Sequence, residues 1–512
     1  MKKSQAWLLC FISALALGFA QPFYVPFMGE GIGSFQYWLG ALVLLGYVPL
    51  WLALARQNLK NTFLMSFVTL TLQYTVILYW IYIACHDYGD VSVAMSALIT
   101  ILLPMEVALV GALFFTWGQF LARKLSISFF YLAPFVLCAM EYARNYVPFG
   151  GFPWGNSGYS AARIPEFLQL ASLVGIYGVV FWVGLVNAFV CIRKAWLSLV
   201  LIILVYIFGA MRLSNSQEYG SFVRVALLQG NIPQDMKNKS RMYSQDILRI
   251  YLELQEEALK QNAELIVWPE AAYPRSLDKN IKELPFESPL ASVMGSTVYG
   301  YDSDEEAHFH NSAFIQNYEG KVISRYDKSH LVPFGEYVPW PFVGIVNKIV
   351  PGMGAYRPGI DFSPIELAIS PAKKFNIGTT VCYEGIFPEI SRAYAQKDTA
   401  LMVNITNDAW YGESSAPFQH LLMYQLRSVE SGRPYARATN SGISALIDPY
   451  GRIKKQTSLF TREILVDDIK IINKKTLYTR LGDVLPMVSI LVLFILTGLF
   501  IYQRMRVIGS KL

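Results

Sequence analysis

The chain has 512 residues, 54% of them hydrophobic and only 16% charged, against roughly 25% charged in soluble domains; this excludes a disordered or fibrous protein, and the length exceeds one ordinary domain. Its formal net charge of +6 does not mark a basic nucleic-acid surface. Residues 1–212 hold 11 Lys/Arg and six Asp/Glu, residues 480–512 hold four and one, and the segment between keeps 28 basic and 30 acidic residues.

Runs of about 20 apolar residues fit the hydrocarbon core of a bilayer as helices. The sequence predicts seven of them at about 7–28, 37–55, 62–84, 97–122, 127–147, 168–192 and 196–212, and an eighth at about 483–503. Pro104 predicts a kink or a late start in the fourth. Lys2 and Lys3 with the apolar run behind them resemble a signal peptide, but the run continues past Pro22 and six more spans follow, so an uncleaved first helix is expected. Basic clusters stand at Lys2/Lys3, Arg56/Lys60, Arg123/Lys124, Arg193/Lys194 and Arg504/Arg506/Lys511, whereas the loops 29–36 and 85–96 have no Lys or Arg. The positive-inside rule then puts both termini in the cytoplasm and the large middle segment outside. Glu106, Glu141 and Arg144 are costly in lipid. The last two lie three apart on one helical face and are expected to pair.

The expected domains are 1–212, a bundle of seven helices; 213–480, an extracytoplasmic domain; and 481–512, the eighth helix and a tail. In the middle domain short apolar runs alternate with helical periodicity. Val223–Gln229, Leu265–Trp268, Phe375–Val381, Leu401–Ile405 and Ile443–Ile447 have strand character, and 240–260, 387–396 and 416–432 have helix character. This rhythm predicts one α/β domain. Cys10, Cys85, Cys138 and Cys191 lie in or beside the spans, so Cys382 stands alone outside, and one Cys cannot form an internal disulfide.

Three strand ends carry reactive side chains. Trp268-Pro269-Glu270 places a carboxylate where a buried strand stops, suited to a half-desolvated base or to an ordinary surface loop. Tyr326-Asp327-Lys328 places an ammonium among apolar and turn residues, suited to an oxyanion or simply solvated. Val381-Cys382-Tyr383-Glu384 places a thiol at the opening of a helix, which stabilises a thiolate; an inert buried Cys fits the same string.

All three motifs in the order Glu, Lys, Cys resemble the nitrilase superfamily, whose members use such a triad on an α-β-β-α sandwich. Set between seven spans and one, the domain makes nearly the whole chain similar to the bacterial apolipoprotein N-acyltransferase family. Supporting strings are Leu228–Gln234, Leu331–Pro339, Asn404–Gly412, Gly432–Gly442 and Gly151-Phe152-Pro153-Trp154. One departure stands out: the family often has a Trp a few residues after Ile-Pro-Gln, where this chain has Asn238 or a neighbour.

The resemblance implies a membrane bundle of eight transmembrane helices plus an α/β nitrilase-like α-β-β-α sandwich, in the bacterial inner membrane with the catalytic domain on the periplasmic side. It implies transfer of a fatty acyl chain from a phospholipid to the N-terminal amine of diacylglyceryl-cysteine in an apolipoprotein, through a Cys thioester. Glu270 is then the base, Cys382 the nucleophile and Lys328 the oxyanion partner. Glu336 and Glu384 are expected to orient Lys328 or adjust the thiolate, and Tyr383 to line the pocket. The apolar segment Tyr337–Gly359, with Trp340, Phe342, Ile345 and Met353, is expected to form a lid toward the membrane, hinged at Gly352, Gly354 and Gly359. Trp410 is a further candidate for substrate contact. No cofactor, metal or nucleic-acid partner is expected: His308, His310, His330 and His420 show no metal-ligand spacing. A membrane-tethered amidase acting on a smaller substrate is the alternative; a transporter reading leaves the triad unexplained.

Overall fold

The computed structural model describes residues 2–24, 37–216, 220–301, 307–340 and 356–509. The chain divides into two units. One comprises Met1–Ser216, Ser414–Leu422 and Leu481–Leu512, and the other Gln217–Glu413 and Met423–Arg480.

In the first unit, six of the described helices are long and apolar enough to cross a membrane: Lys3–Ala20, Tyr37–Leu54, Val93–Lys124, Ala171–Cys191, Ala195–Ser214 and Val484–Ile508. The expected count of eight is not reached by length and composition. The third expected span breaks into Leu59–Ile77 and Trp80–His86, bent by 61°, and counting that pair as one span gives seven. The fifth, Phe129–Ala143, has 15 residues, about 22 Å of helix against a hydrocarbon core of about 30 Å. Pro104 does not delay its helix, which starts at Val93 and runs 32 residues through it. Losing one N–H donor does not outweigh the remaining bonds of so long an element.

The expected ion pair forms. Arg144 Nη1 stands 2.6 Å from Glu141 Oε2, with both side chains buried. A buried charge needs further hydrogen bonds, and both groups have them. Arg144 Nη2 donates to the carbonyls of Phe152 at 3.1 Å and Trp154 at 2.7 Å. Glu141 Oε1 accepts from the Ser157 hydroxyl at 2.9 Å and its N–H at 3.2 Å. The pair thus pins the Gly151–Trp154 loop.

The second unit contains two sheets. The first has the order β13-β1-β2-β4-β5-β6, with β3 beside β4. Its strands are β1 Phe222–Gln229, β2 Leu265–Val267, β3 Leu277–Asp278, β4 Ala291–Tyr301, β5 Ala307–Gln316, β6 Val322–Asp327 and β13 Glu463–Lys470. The second runs β12-β11-β10-β9-β8-β7, from β7 Ile365–Ser370, β8 Lys373–Val381, β9 Leu401–Thr406, β10 Tyr435–Thr439, β11 Ala445–Ile447 and β12 Ile453–Gln456. β1, β2 and β4 are parallel, as are β8, β9 and β10. Every residue of Leu401–Thr406 and Tyr435–Thr439 is buried, as expected of parallel strands covered on both faces.

The sheets pack face to face, β1 on β10 and β4 on β9. Helix Ser244–Lys260 covers the first sheet, burying Ile247, Tyr251, Leu254 and Ala258 at spacings of four, three and four. Helix Pro388–Gln396 covers the second, where the Tyr394 hydroxyl donates to the Thr379 carbonyl at 2.9 Å. The result is an α-β-β-α sandwich whose parallel strands all end at one edge, where the loops can gather side chains from both sheets.

Candidate active site

The three strand-end residues meet at that edge. Glu270 follows β2, Lys328 follows β6 directly and Cys382 follows β8 directly; they are 7%, 1% and 9% exposed. Lys328 Nζ lies 3.8 Å from Glu270 Oε1. Both groups act electrostatically on the buried Cys382 thiol.

Each of the three is held by its backbone. Cys382 has φ +53°, in the left-handed region, where a side chain is strained. The Tyr424 hydroxyl fixes this elbow by donating to the Cys382 carbonyl at 2.6 Å. The Glu270 turn continues through Ala271, whose φ is +46°. It presses on Gly295 of β4 so closely that a Cβ there would lie 2.3 Å from the Pro269 carbonyl oxygen, so only glycine fits. The Lys328 N–H donates to the Asn311 carbonyl of β5 at 2.8 Å, and the Gly359 N–H donates to the Lys328 carbonyl at 2.8 Å. Gly359, one of the expected hinge residues, is therefore seated against the lysine.

Glu336 and Glu384 have different surroundings. Glu336 pairs with the Lys328 ammonium directly, at 2.8 Å through Oε2 and 2.9 Å through Oε1, and accepts from the Val332 N–H at 2.8 Å. The buried Glu384 carboxylate instead accepts main-chain bonds: from Val381 N–H at 2.6 Å on one oxygen, and from Ser329 N–H at 2.8 Å, its hydroxyl at 2.9 Å and His330 N–H at 3.3 Å on the other. It thus ties the strand that ends at Cys382 to the loop leaving Lys328. Tyr383 is buried, with its ring 5.3 Å from Phe387 and 5.9 Å from His330.

Of the further residues at the site, Asn407 and Asp408 lie in the Asn404–Gly412 string, whereas Asn311 and Lys237 carry no local sequence signal. Asn311 Nδ2 lies 2.7 Å from Glu270 Oε1 and 2.9 Å from Glu336 Oε1, donating between two carboxylates. The Asn407 N–H donates to Glu270 Oε2 at 2.8 Å. Lys237 Nζ donates to the Glu270 carbonyl at 3.0 Å. Asp408, paired at 2.7 Å with the buried Arg437, adds negative charge near the thiol.

The electrostatics follow from burial first. Burial raises the Cys382 thiol well above its ordinary value, Glu270 adds to this and Lys328 opposes it, so the resting residue is a thiol. Burial also raises the Glu270 carboxyl; Lys328 opposes this, and Glu336 reinforces it. For Lys328, burial works against the ammonium, but Glu336, Cys382 and Glu270 outweigh it and hold the lysine above its usual range. His330 is pushed down to about 4 by burial and by Lys328, so it is neutral at physiological pH.

The outlying candidates lie elsewhere. Trp410 is 38% exposed on the turn Asp408–Tyr411. Trp340 is 85% exposed. Phe342, Ile345, Met353, Gly352 and Gly354 lie outside the described residues. No His/Cys/Asp/Glu group among the described residues has metal-binding geometry.

Comparison with known proteins bears on both units. Residues 224–472 match the carbon-nitrogen hydrolase family, and residues 6–189 match the apolipoprotein N-acyltransferase N-terminal domain. The chain is 36% identical to the apolipoprotein N-acyltransferase of Geobacter metallireducens over 473 residues, covering 87% of this chain and 88% of that one. It is 33% identical to the protein of the same name from Ralstonia nicotianae over 425 residues, covering 79% of each. Among solved structures it is similar to Saccharomyces cerevisiae Nit3, a member of branch 10 of the nitrilase superfamily, at 20% identity and a TM-score of 0.37, covering 49% of this chain and 91% of Nit3. The relatives extend over bundle and sandwich together, and this chain belongs to the apolipoprotein N-acyltransferase family, acyltransferases with a carbon-nitrogen hydrolase domain.

Proposed function

We propose that the chain moves a fatty acyl group from the sn-1 position of a phospholipid to Cys382, and from there to the N-terminal amine of diacylglyceryl-cysteine on an apolipoprotein. The observation that carries this reading is the buried Glu270 and Lys328, the lysine held by the half-buried Glu336, acting on a thiol in a strained elbow. Glu270 takes the thiol proton, and the thiolate attacks the ester carbonyl. The tetrahedral oxyanion is stabilised by the Lys328 ammonium and a main-chain N–H near Tyr383. The carbon–oxygen bond breaks, protonated Glu270 returns its proton to the leaving oxygen, and lysophospholipid departs from the thioester. The neutral acceptor amine then attacks the thioester carbonyl, Glu270 accepts the amine proton, the carbon–sulfur bond breaks, and Glu270 passes that proton to the departing thiolate, restoring the Cys382 thiol and the free carboxylate. An α-amine has a reference pKa of about 8, so enough of it is neutral at physiological pH.

The same reading takes all eight apolar segments as membrane crossings of the bacterial inner membrane. Both termini are then cytoplasmic and the sandwich is periplasmic, in keeping with the basic clusters of alternate loops. Long-chain donor and acceptor both lie in the bilayer, so an enzyme of this kind needs the bundle; a soluble amide substrate does not.

The test uses the purified protein in detergent with a phospholipid carrying a labelled sn-1 acyl chain. Mass spectrometry should find the label on Cys382 as a thioester, and Cys382→Ser should lose it. A wild-type protein that forms no thioester overturns the reading.

A further inference from the structure

The five-residue helix Gln234–Asn238 touches Glu270 from two directions. From one, Lys237 Nζ donates to the Glu270 main-chain carbonyl at 3.0 Å. From the other, Gln234 Oε1 accepts from Asn407 Nδ2 at 2.9 Å, and the Asn407 N–H donates to Glu270 Oε2 at 2.8 Å. Gln234 completes its amide by donating to Asn238 Oδ1 at 2.9 Å. Asn238 thus closes a chain of amides leading to the carboxylate.

The Glu270 carbonyl belongs to a peptide that needs support. The next residue, Ala271, has φ +46°, and the turn is pressed against Gly295. An ammonium on that carbonyl both holds the turn and adds positive charge beside the carboxylate. We propose that Lys237 is a positioning residue for Glu270: its amine fixes the turn and, while charged, favours the ionised carboxylate that accepts the thiol proton. This rests on the reading of Glu270 as the general base.

The charges around Glu270 distinguish Lys237 from its neighbours. Lys328 is held in its charged form by Glu336, and the raised pKa values of Tyr356 and Tyr411, both set first by burial, keep those phenols neutral. Cys382 rests as a thiol, and Asp408 is paired with Arg437. Lys237 is half-buried, and burial pushes its pKa down to about 8, with Glu270 and Cys382 opposing. It is the cation in this set whose charge changes near physiological pH.

The sign follows. A cation beside a carboxylate lowers its proton affinity, so removing Lys237 raises that of Glu270 and moves the acid limb of thioester formation to higher pH. Single-turnover transfer of label from phospholipid to Cys382 is measured from about pH 5 to about pH 9. In K237M the acid limb should move up by about one pH unit, making the reaction roughly tenfold slower below it. K237R, which keeps the charge and the donors, should retain the wild-type limb. Should K237M not fold, K237Q carries the same expectation. A K237M or K237Q limb that coincides with wild type overturns the inference, whether the plateau is kept or uniformly lowered, because a purely structural role changes rate without moving the limb. If wild type itself forms no thioester, the general-base reading fails and the inference falls with it; if wild type forms thioester and the limb stays fixed, the role of Lys237 alone falls.

Discussion

Replacing Asn311 with Leu removes two hydrogen bonds while keeping the volume of the side chain. Its amide nitrogen lies 2.7 Å from Glu270 Oε1 and 2.9 Å from Glu336 Oε1, so it separates two carboxylates that share one lysine. A hydrogen bond to a charged group contributes about 1.5–3 kcal/mol. Bonds to the ionised form lower a carboxyl pKa, so losing this one raises that of Glu270, already raised by burial. At about 1.4 kcal/mol per tenfold, thioester formation below the acid limb should slow by about tenfold to a hundredfold in Asn311→Leu. The limb should move to higher pH, and the rate should recover as pH rises. The assay is single-turnover labelling of Cys382 across pH, with a thermal unfolding scan to show that the variant is folded. A folded Asn311→Leu protein that acylates at the wild-type rate with an unmoved limb refutes the idea that this amide holds Glu270 in its reactive state.

Two further substitutions probe the supports of the fold. Tyr424→Phe removes only the hydroxyl that donates at 2.6 Å to the Cys382 carbonyl; a neutral hydrogen bond is worth about 0.5–1.5 kcal/mol, so thioester formation should slow by about twofold to tenfold with its pH profile in place. An undiminished rate means the strained elbow does not depend on Tyr424. Arg144→Leu leaves Glu141 buried without its ion-pair partner and should destabilise the bundle by about 3–5 kcal/mol. The Glu141→Leu/Arg144→Leu double variant should recover part of that loss in detergent unfolding, and equal losses in the two proteins exclude the pair as the cause.

Glu270 and Cys382 were legible because each follows a short apolar strand, where a reactive group breaks the local pattern; Lys328 follows the mixed strand Val322–Asp327 and was legible only from the Tyr326-Asp327-Lys328 string. Helices Ser244–Lys260 and Pro388–Gln396 were legible from their periodicity. Asn311 was not. It lies inside β5, a strand of mixed polarity (Ala307–Gln316), and it meets Lys328 through antiparallel pairing of Ser312 with Asp327, a relation that no local window contains. The roles of Glu336 and Glu384 were open for the same reason. Both are acidic residues near the motifs, and only the register of separate strands shows that one pairs with the lysine and the other with main-chain N–H groups. In the bundle, hydropathy runs on through residues 62–84 with no Pro or Gly at Leu78-Tyr79, so the 61° bend there left no mark in the sequence.

Under the proposed mechanism, the unequal distances from Lys328 separate the two carboxylates by task. Its ammonium lies 2.8–2.9 Å from both oxygens of Glu336 but 3.8 Å from Glu270. A tight pair between Lys328 and Glu270 would hold the Glu270 carboxyl low and make it a weak base; Glu336 engages the lysine instead, and its own charge further raises Glu270. Glu336→Gln therefore tests the division directly. It removes a negative charge that raises Glu270 and frees the ammonium to approach it, so the Glu270 proton affinity should fall on both counts. The acid limb of thioester formation should move to lower pH, opposite to Asn311→Leu, and the plateau should drop because a weaker base takes the proton from a thiol that burial keeps protonated. A Glu336→Gln limb that moves to higher pH, or stays in place, shows that Glu336 does not divert Lys328 from Glu270, and the assignment of one carboxylate to the lysine and one to the proton is then wrong.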